Sequence, residues 1–509
     1  MLENLALGFG IALSLQNILY VLVGVSVGMV FGAFPGLGAP TAIALLLPLT
    51  FSVEPTSAII MLAGIYYGTM YGSTITSVLI NVPGESASVV TTWDGHPMAR
   101  KGRAGPALTI AAVGSFVAGT FAILLFGIVA PPLGAFALRF GPPEYFALVL
   151  FALATIPLLA GGGSRGKVLV SVLIGLMCAS MGVDDFTGEA RFTFGLPDLL
   201  DGIDFVPAVI GLFGIADVLY MARHPDQAGQ KPTGKFSMRS IWPSRTEWRR
   251  SRLPVARGSI LGFIVGVLPG AGATVASFLS YGLEKGVSKH PEEFGKGAPE
   301  GVAGPESANN SASISAFVPT LTLGVPGSGT TAVLLGGFLI WGLTPGPQLF
   351  EEEPEFAWGL IASMYTGNAM LLVLSILLLP LFTQLLRTPP TIMAPMIVVF
   401  CATGAVTVNG SMFDVWTMFF FGALGYLLRC LDVPTAPLVM ALVLGPILES
   451  SLRQALSLSQ GDAGIFVESP ISIALLAATA LLFIWPVVSR TLRGTAASTT
   501  DTENEKENA

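Results

Sequence analysis

The same helix-breaking signal stands at matched places in two apolar halves of this chain. Residues 28–39 read GMVFGAFPGLGA and residues 262–273 read GFIVGVLPGAGA, sharing the frame GxxxGxxPGxGA. Proline removes a backbone donor and clashes with the preceding helical turn, and the glycines beside it permit non-helical dihedrals. A second pair follows: NVPGES at residues 81–86 and GVPGSG at residues 324–329. Weaker echoes link FGPPEYF at 140–146 with TPPTIM at 388–393, and the apolar stretch after Ser164 with the one after Ser411. Self-similarity of this kind predicts a duplicated bundle of roughly 250 residues per copy. The GxxxG step at Gly28 and Gly32, taken alone, predicts close helix packing through small residues. The duplicated PGxGA asks for more, because breaks at corresponding positions of two halves point to a binding site near the middle of a membrane.

A bilayer is the solvent that fits the rest of the chain. Hydrophobic residues make up 52% and charged residues 11%, where soluble domains carry about 25% charged residues. Mean hydropathy is +0.73, too apolar for a water-soluble globule of 509 residues. Apolar stretches recur from Leu5 to Val488, enough for roughly 11–14 crossing or re-entrant segments. Helices are the expected spanning element, since the alternating pattern of a lipid-facing β-barrel is missing. The expected fold is therefore an all-α polytopic membrane protein of two repeated halves. Inverted orientation of the halves is expected, because broken helices commonly occur in that arrangement.

Residues 1–222 are expected to form the first repeat, 223–256 a basic cytoplasmic loop, 257–490 the second repeat and 491–509 a disordered cytoplasmic tail. The basic loop carries Arg223, Lys231, Lys235, Arg239, Arg245, Arg249, Arg250 and Arg252 against Asp226 and Glu247, and short basic loops stay inside. The N-terminal stretch lacks a basic n-region and an A-x-A site, so it is expected to be retained, as an interfacial helix before the first span. The net charge of −7 indicates no particular partner, and no nucleic acid is expected. Cys178, Cys401 and Cys430 lack CxxC spacing and read as packing thiols. Three histidines without an HExxH pattern give no expectation of a metal or cofactor.

Polar side chains concentrate where the helices break. Helices restarting after VPG present free N–H groups and the positive end of a dipole, which suits an anion. Hydroxyls of Ser86, Ser88, Thr91, Ser328 and Thr330 would add donors to carboxylate oxygens. Asn309, Asn310 and Ser311 fall in the second polar run, and the glycines of the two breaks, Gly36, Gly38, Gly270 and Gly272, would let backbone approach the ligand. Amide oxygens such as those of Asn81, Asn309 and Asn310 suit a small hard cation. Among nearby ionisable groups, Glu306 is the best candidate for a proton or cation site. Asp94, His96, Arg100 and Lys101 read instead as an interfacial loop. The bland alternative for these polar runs is that they pair across packed helices.

The long motifs GxxxGxxPGLGAPTA, NVPGESASVVTTWDGHPMARKGRAGPAL, GVLPGAGAT, PESANNS and TLGVPGS resemble the TctA-like large membrane subunit of the tripartite tricarboxylate transporters. The resemblance runs from MLENL to the last span. It implies a bacterial secondary transporter in the cytoplasmic membrane, working with a small membrane subunit (TctB-like) and a periplasmic solute-binding protein (TctC-like). The implied substrates are tricarboxylates or related organic acids, and uptake is driven by an ion gradient, Na⁺ or H⁺. Consistent with transport without ATP, no GxxxxGK[ST] occurs. A passive organic-anion channel is the alternative of a different class. An intramembrane enzyme would need a Ser/Lys, Asp/Asp or His/Glu constellation in the spans, and none is visible.

Overall fold

The computed structural model describes residues 2–482 apart from 35–36, 160–163, 185, 224–240, 271, 379–380 and 383–389. Helix dominates the described residues, and their only strands are a two-residue antiparallel pair, Gly182 opposite Arg191 and Val183 opposite Ala190. Six of the described helices are long and apolar enough to cross a bilayer: Leu15–Gly32, Pro55–Ile80, Ala104–Ala137, Phe205–Arg223, Pro354–Leu377 and Ala436–Leu458. The chain is a multi-pass, all-α membrane protein.

The glycine spacing read from the sequence becomes a packing surface. A Cβ on Gly24, Gly28 or Gly32 would collide with the carbonyl oxygens of Met61, Ile65 and Thr69, respectively. Those residues lie one turn apart on Pro55–Ile80, so Leu15–Gly32 lies on that helix backbone to backbone. In the second half, Gly258, Gly262 and Gly266 of Arg245–Val267 meet the carbonyls of Gly304, Ala308 and Ala312 in the same way. Residue numbers rise together along both contacts, so each pair is parallel. Parallel neighbours need a return connection between them. Ala39–Leu46 with the turn Pro48–Thr50 supplies it in the first half, and Gly272–Val287 in the second. The described residues flanking the two PGxGA breaks thus form the tips of helical hairpins. Across the halves the direction reverses: Thr74 donates to Glu306 at 2.6 Å, whereas Tyr66, two turns earlier, stacks at 5.9 Å on Phe317, well beyond Glu306.

Three boundaries differ from the sequence expectation, each for a physical reason. The span expected from Ala308 begins at Glu300 and carries Pro305 within it. Its polar first turns are largely buried in protein, where a hydropathy pattern does not report them. The interval 223–256, expected as a loop, lies partly outside the described residues at 224–240, while Arg245–Val267 is one helix started by a capping box between Ser244 and Glu247. Asp94, His96 and Arg100, expected in an interfacial loop, belong to the helix Val89–Arg100, with Lys101 as its C-cap. Asp94 is completely buried and accepts from Tyr281 Oη at 2.9 Å and from the backbone amides of Gly297 and Ala298 at 2.7 and 2.8 Å. The expected N-terminal helix is present as Leu2–Ala12, with Gly8 against the Trp358 carbonyl. The tail 491–509 lies outside the described residues.

One group of ion pairs joins Arg245–Val267 to its neighbours. Arg250 bridges Glu293 and Glu300, each at 2.7 Å, Arg257 holds Glu284 at 2.8 Å, and Arg103 pairs with Glu247. The Arg250 guanidinium holds the Glu293 carboxyl below its ordinary range.

Candidate functional site: a cavity at the helix breaks

Where the hairpin tips of the two halves meet, the protein forms an open cavity of about 850 Å³, within the range of small-molecule sites. Gly38 and residues 82–87 line it from the first half, and Gly270, Gly272 and residues 328–330 from the second. Each break is tied to the VPG loop of its own half. Gly270 N–H donates to Gly327 O at 3.1 Å, and the Ala39 amide faces the carboxylate of Glu85. Gly270 and Gly272 have φ of +82° and +63°, a region where a side chain would be strained. The helices before the VPG loops end alike, with Asn81 at φ 58° and Gly324 at φ 67° as left-handed caps.

Four helices point their N-termini at this cavity: Ala39–Leu46, Gly272–Val287, Gly329–Ile340 and Ala436–Leu458. Their first or capping residues, Gly38, Gly272, Ser328 and Thr435, all line it. The positive dipole end makes each terminus favourable to an anion, with the Ala39 and Thr331 amides already engaged by Glu85 and Ser328. Arg429 also lines the wall, paired with Asp217 and lying 3.9 Å above the Tyr220 ring. Thr41 donates to the other oxygen of Asp217 at 2.9 Å.

Six residues predicted for substrate binding line the cavity: Gly38, Ser86, Gly270, Gly272, Ser328 and Thr330. Ser86 shares a 2.7 Å hydrogen bond with Thr274 of the other half, and Ser328 a 3.2 Å one with Tyr66. Ser328 also caps its helix, accepting from the Thr331 amide at 3.2 Å.

Five others are placed elsewhere, in a buried polar seam between helices. Ser88 bonds Ser77 at 3.0 Å, Asn310 bonds Ser115 at 2.7 Å and Asn309 at 2.6 Å, and Ser311 donates to the Ser259 carbonyl at 2.7 Å. Thr91 donates to Glu306, whose other carboxylate oxygen accepts from Thr74. Gly36 lies outside the described residues. Of the two residues predicted for a coupling ion, Glu306 is wholly buried in that seam, and Asn81 is an exposed helix cap. Neither lines the cavity.

Arg429 and Asp217 sit far from the breaks in sequence, so the repeated motifs do not point to them. Both are charged residues in otherwise apolar stretches, which is itself a pointer to function.

The sequence pattern of the Tripartite tricarboxylate transporter TctA family matches residues 18–440. The chain belongs to that family. Family membership makes it a tricarboxylate transporter subunit and implies a tripartite system with TctB-like and TctC-like partners. Among its relatives, an uncharacterised 52.8 kDa protein in the TAR-I ttuC′ 3′ region of Agrobacterium vitis is 48% identical over 477 residues, 94% of each chain. A second uncharacterised protein, in the TAR-II ttuC′ 3′ region of the same organism, is 46% identical over 215 residues, 42% of this chain and 89% of its own length. No solved structure matches the chain.

Proposed function

We propose that the chain is the translocating subunit of a cation-coupled carrier for tricarboxylates or related organic acids. It would act in the bacterial cytoplasmic membrane, receive substrate from a periplasmic binding protein and work beside a small membrane subunit. The observation that carries this reading is the convergence of four helix N-termini on one cavity with Arg429 in its wall. Such a site attracts several carboxylates at once without needing a full counter-charge for each.

Two parallel helix pairs that run antiparallel to each other support an inverted repeat. Movement of one half against the other would then open the cavity to alternate sides. The ion-paired group of Arg103, Arg250 and Arg257 would face the cytoplasm. Glu306 is the group proposed to take the coupling Na⁺ or H⁺.

The test is uptake of labelled citrate into proteoliposomes that hold the chain with its small membrane subunit and face its binding protein. Accumulation that collapses with the Na⁺ or proton gradient supports the carrier, whereas equilibration indifferent to both gradients indicates a passive organic-anion channel. R429Q removes a charged donor worth about 1.5–3 kcal/mol, so uptake should fall at least roughly tenfold.

A further inference from the structure

We propose that Glu85 brings one proton into the cavity with each substrate, holding it between its own carboxyl and one carboxylate of the bound acid. The proposal rests on the anion-carrier reading above and names a second, substrate-linked cation distinct from the one assigned to Glu306.

Glu85 sits in the NVPGES loop and lines the cavity. Its side chain lies against Gly38, with the Ala39 amide facing the carboxylate. The other carboxylate oxygen, Oε2, is buried and has no hydrogen-bond partner. Among the described residues no lysine, arginine or histidine pairs with Glu85.

The other titratable groups lining the cavity are Tyr66, Asp217, Tyr220, Arg429 and Asp432. Asp217 is answered by Arg429 and Thr41, and Asp432 by Lys167 at 3.4 Å. Tyr66 is engaged with Ser328. Glu85 is thus an acid without an ionic partner in a cavity otherwise arranged for anions.

The matched position in the other half sharpens the point. Counting from the αL caps Asn81 and Gly324, Glu85 corresponds to Ser328. The geometry agrees: a Cβ on Gly38 would lie 3.8 Å from the Glu85 side chain, and one on Gly272 would lie 3.8 Å from that of Ser328. One hairpin tip therefore meets a hydroxyl, which donates to an anion at any pH, and the other meets a carboxyl, which donates only when protonated. A substrate carboxylate held directly against the Glu85 carboxylate, whose Oε2 has no donor, cannot stay ionised together with it. Filling the cavity with a fully ionised tricarboxylate obliges one proton to join the pair. That proton comes from water on the side where the substrate enters and returns to water where it leaves, so no further reactant is consumed.

The test is calorimetric titration of the chain in nanodiscs with citrate between about pH 7.5 and 9, where free carboxylates are ionised. Wild type should lose about tenfold in affinity per pH unit, with heats that depend on the ionisation enthalpy of the buffer, because complex formation takes up one proton. E85Q keeps a donor without needing the proton, so both the slope and the buffer dependence should disappear. E85S, which brings in the residue type of the matched position, should behave the same way and gives an independent comparison. A wild-type slope and proton uptake retained in E85Q and E85S would overturn the proposal. Failure of wild type to bind citrate, and equally succinate, tartrate and benzoate, at any of these pH values would instead overturn the anion-carrier reading beneath it.

Discussion

Glu306 lies wholly inside the protein, with Thr74 and Thr91 each donating to one of its carboxylate oxygens. No lysine, arginine or histidine pairs with it among the described residues. A charge so placed is expensive unless something compensates it, and two neutral hydroxyls offset only part of that cost. The residue is therefore stable as the acid, or as a carboxylate holding a small cation, with the threonine oxygens able to turn their lone pairs toward it. On this basis E306Q should abolish gradient-driven accumulation while leaving substrate exchange across the membrane intact. T91V removes one oxygen that would ligate the cation, so a Na⁺ concentration for half-maximal uptake should rise roughly tenfold, whereas for a coupling proton the lost donor to the carboxylate should lower the requirement. An unchanged cation requirement in T91V would remove Glu306 from the coupling machinery. Asn81, the other residue read from sequence as an ion ligand, has a conformational reason to be polar and small: it occupies the left-handed cap that Gly324 fills in the second half, and asparagine tolerates that region better than most residues.

At the scale of elements, packing of helix backbones through glycine decides the architecture. Gly28 cannot take a Cβ without displacing the Ile65 carbonyl, whereas Gly10 has no atom within 4 Å of the place a Cβ would occupy. G28A should therefore lower the thermal stability of the detergent-solubilised protein, by about 1–3 kcal/mol for overpacking against a rigid neighbour. G10A should leave it unchanged or slightly raise it, since alanine is the better helix former. Equal melting temperatures for the two variants would mean that the ladder is looser than its geometry implies. This ladder was legible in the chain because its cause is local: a repeated small residue at one-turn spacing, then a proline that stops the helix. The start of the helix at Glu300 was not, because its polar residues are hidden by neighbouring helices and not by lipid. The pairing of Asp217 with Arg429 was equally out of reach, since only the folded chain brings two residues so distant in sequence to one cavity wall.

At the scale of the molecule, the cavity lies between the two halves, and hydrogen bonds such as Ser277 to the Ala87 carbonyl and Thr155 to the Pro269 carbonyl cross beside it. Ser86, from the first VPG loop, meets Thr274, at the start of the returning helix of the second half, at 2.7 Å. If transport requires the halves to move against each other, this contact must open and close in every cycle, so a covalent bond there should stop the cycle. The experiment is S86C/T274C in a background with Cys178, Cys401 and Cys430 replaced; of these, Cys430 is exposed and Cys178 partly so. Hydroxyl oxygens this close put the two side chains within reach of a disulfide, whose Cβ atoms sit about 3.8 Å apart. Oxidation should reduce citrate uptake to about a tenth or less of the reduced protein's rate, because the alternate state becomes inaccessible, and reductant should restore it. Each single-cysteine variant should be indifferent to oxidant, which separates the cross-link from a loss of the Ser86 hydroxyl. Full uptake by the completely cross-linked protein would show that the seam at Ser86 stays closed throughout the cycle. The moving boundary would then have to lie elsewhere, for instance between the helix carrying Arg429 and the hairpin tips it faces.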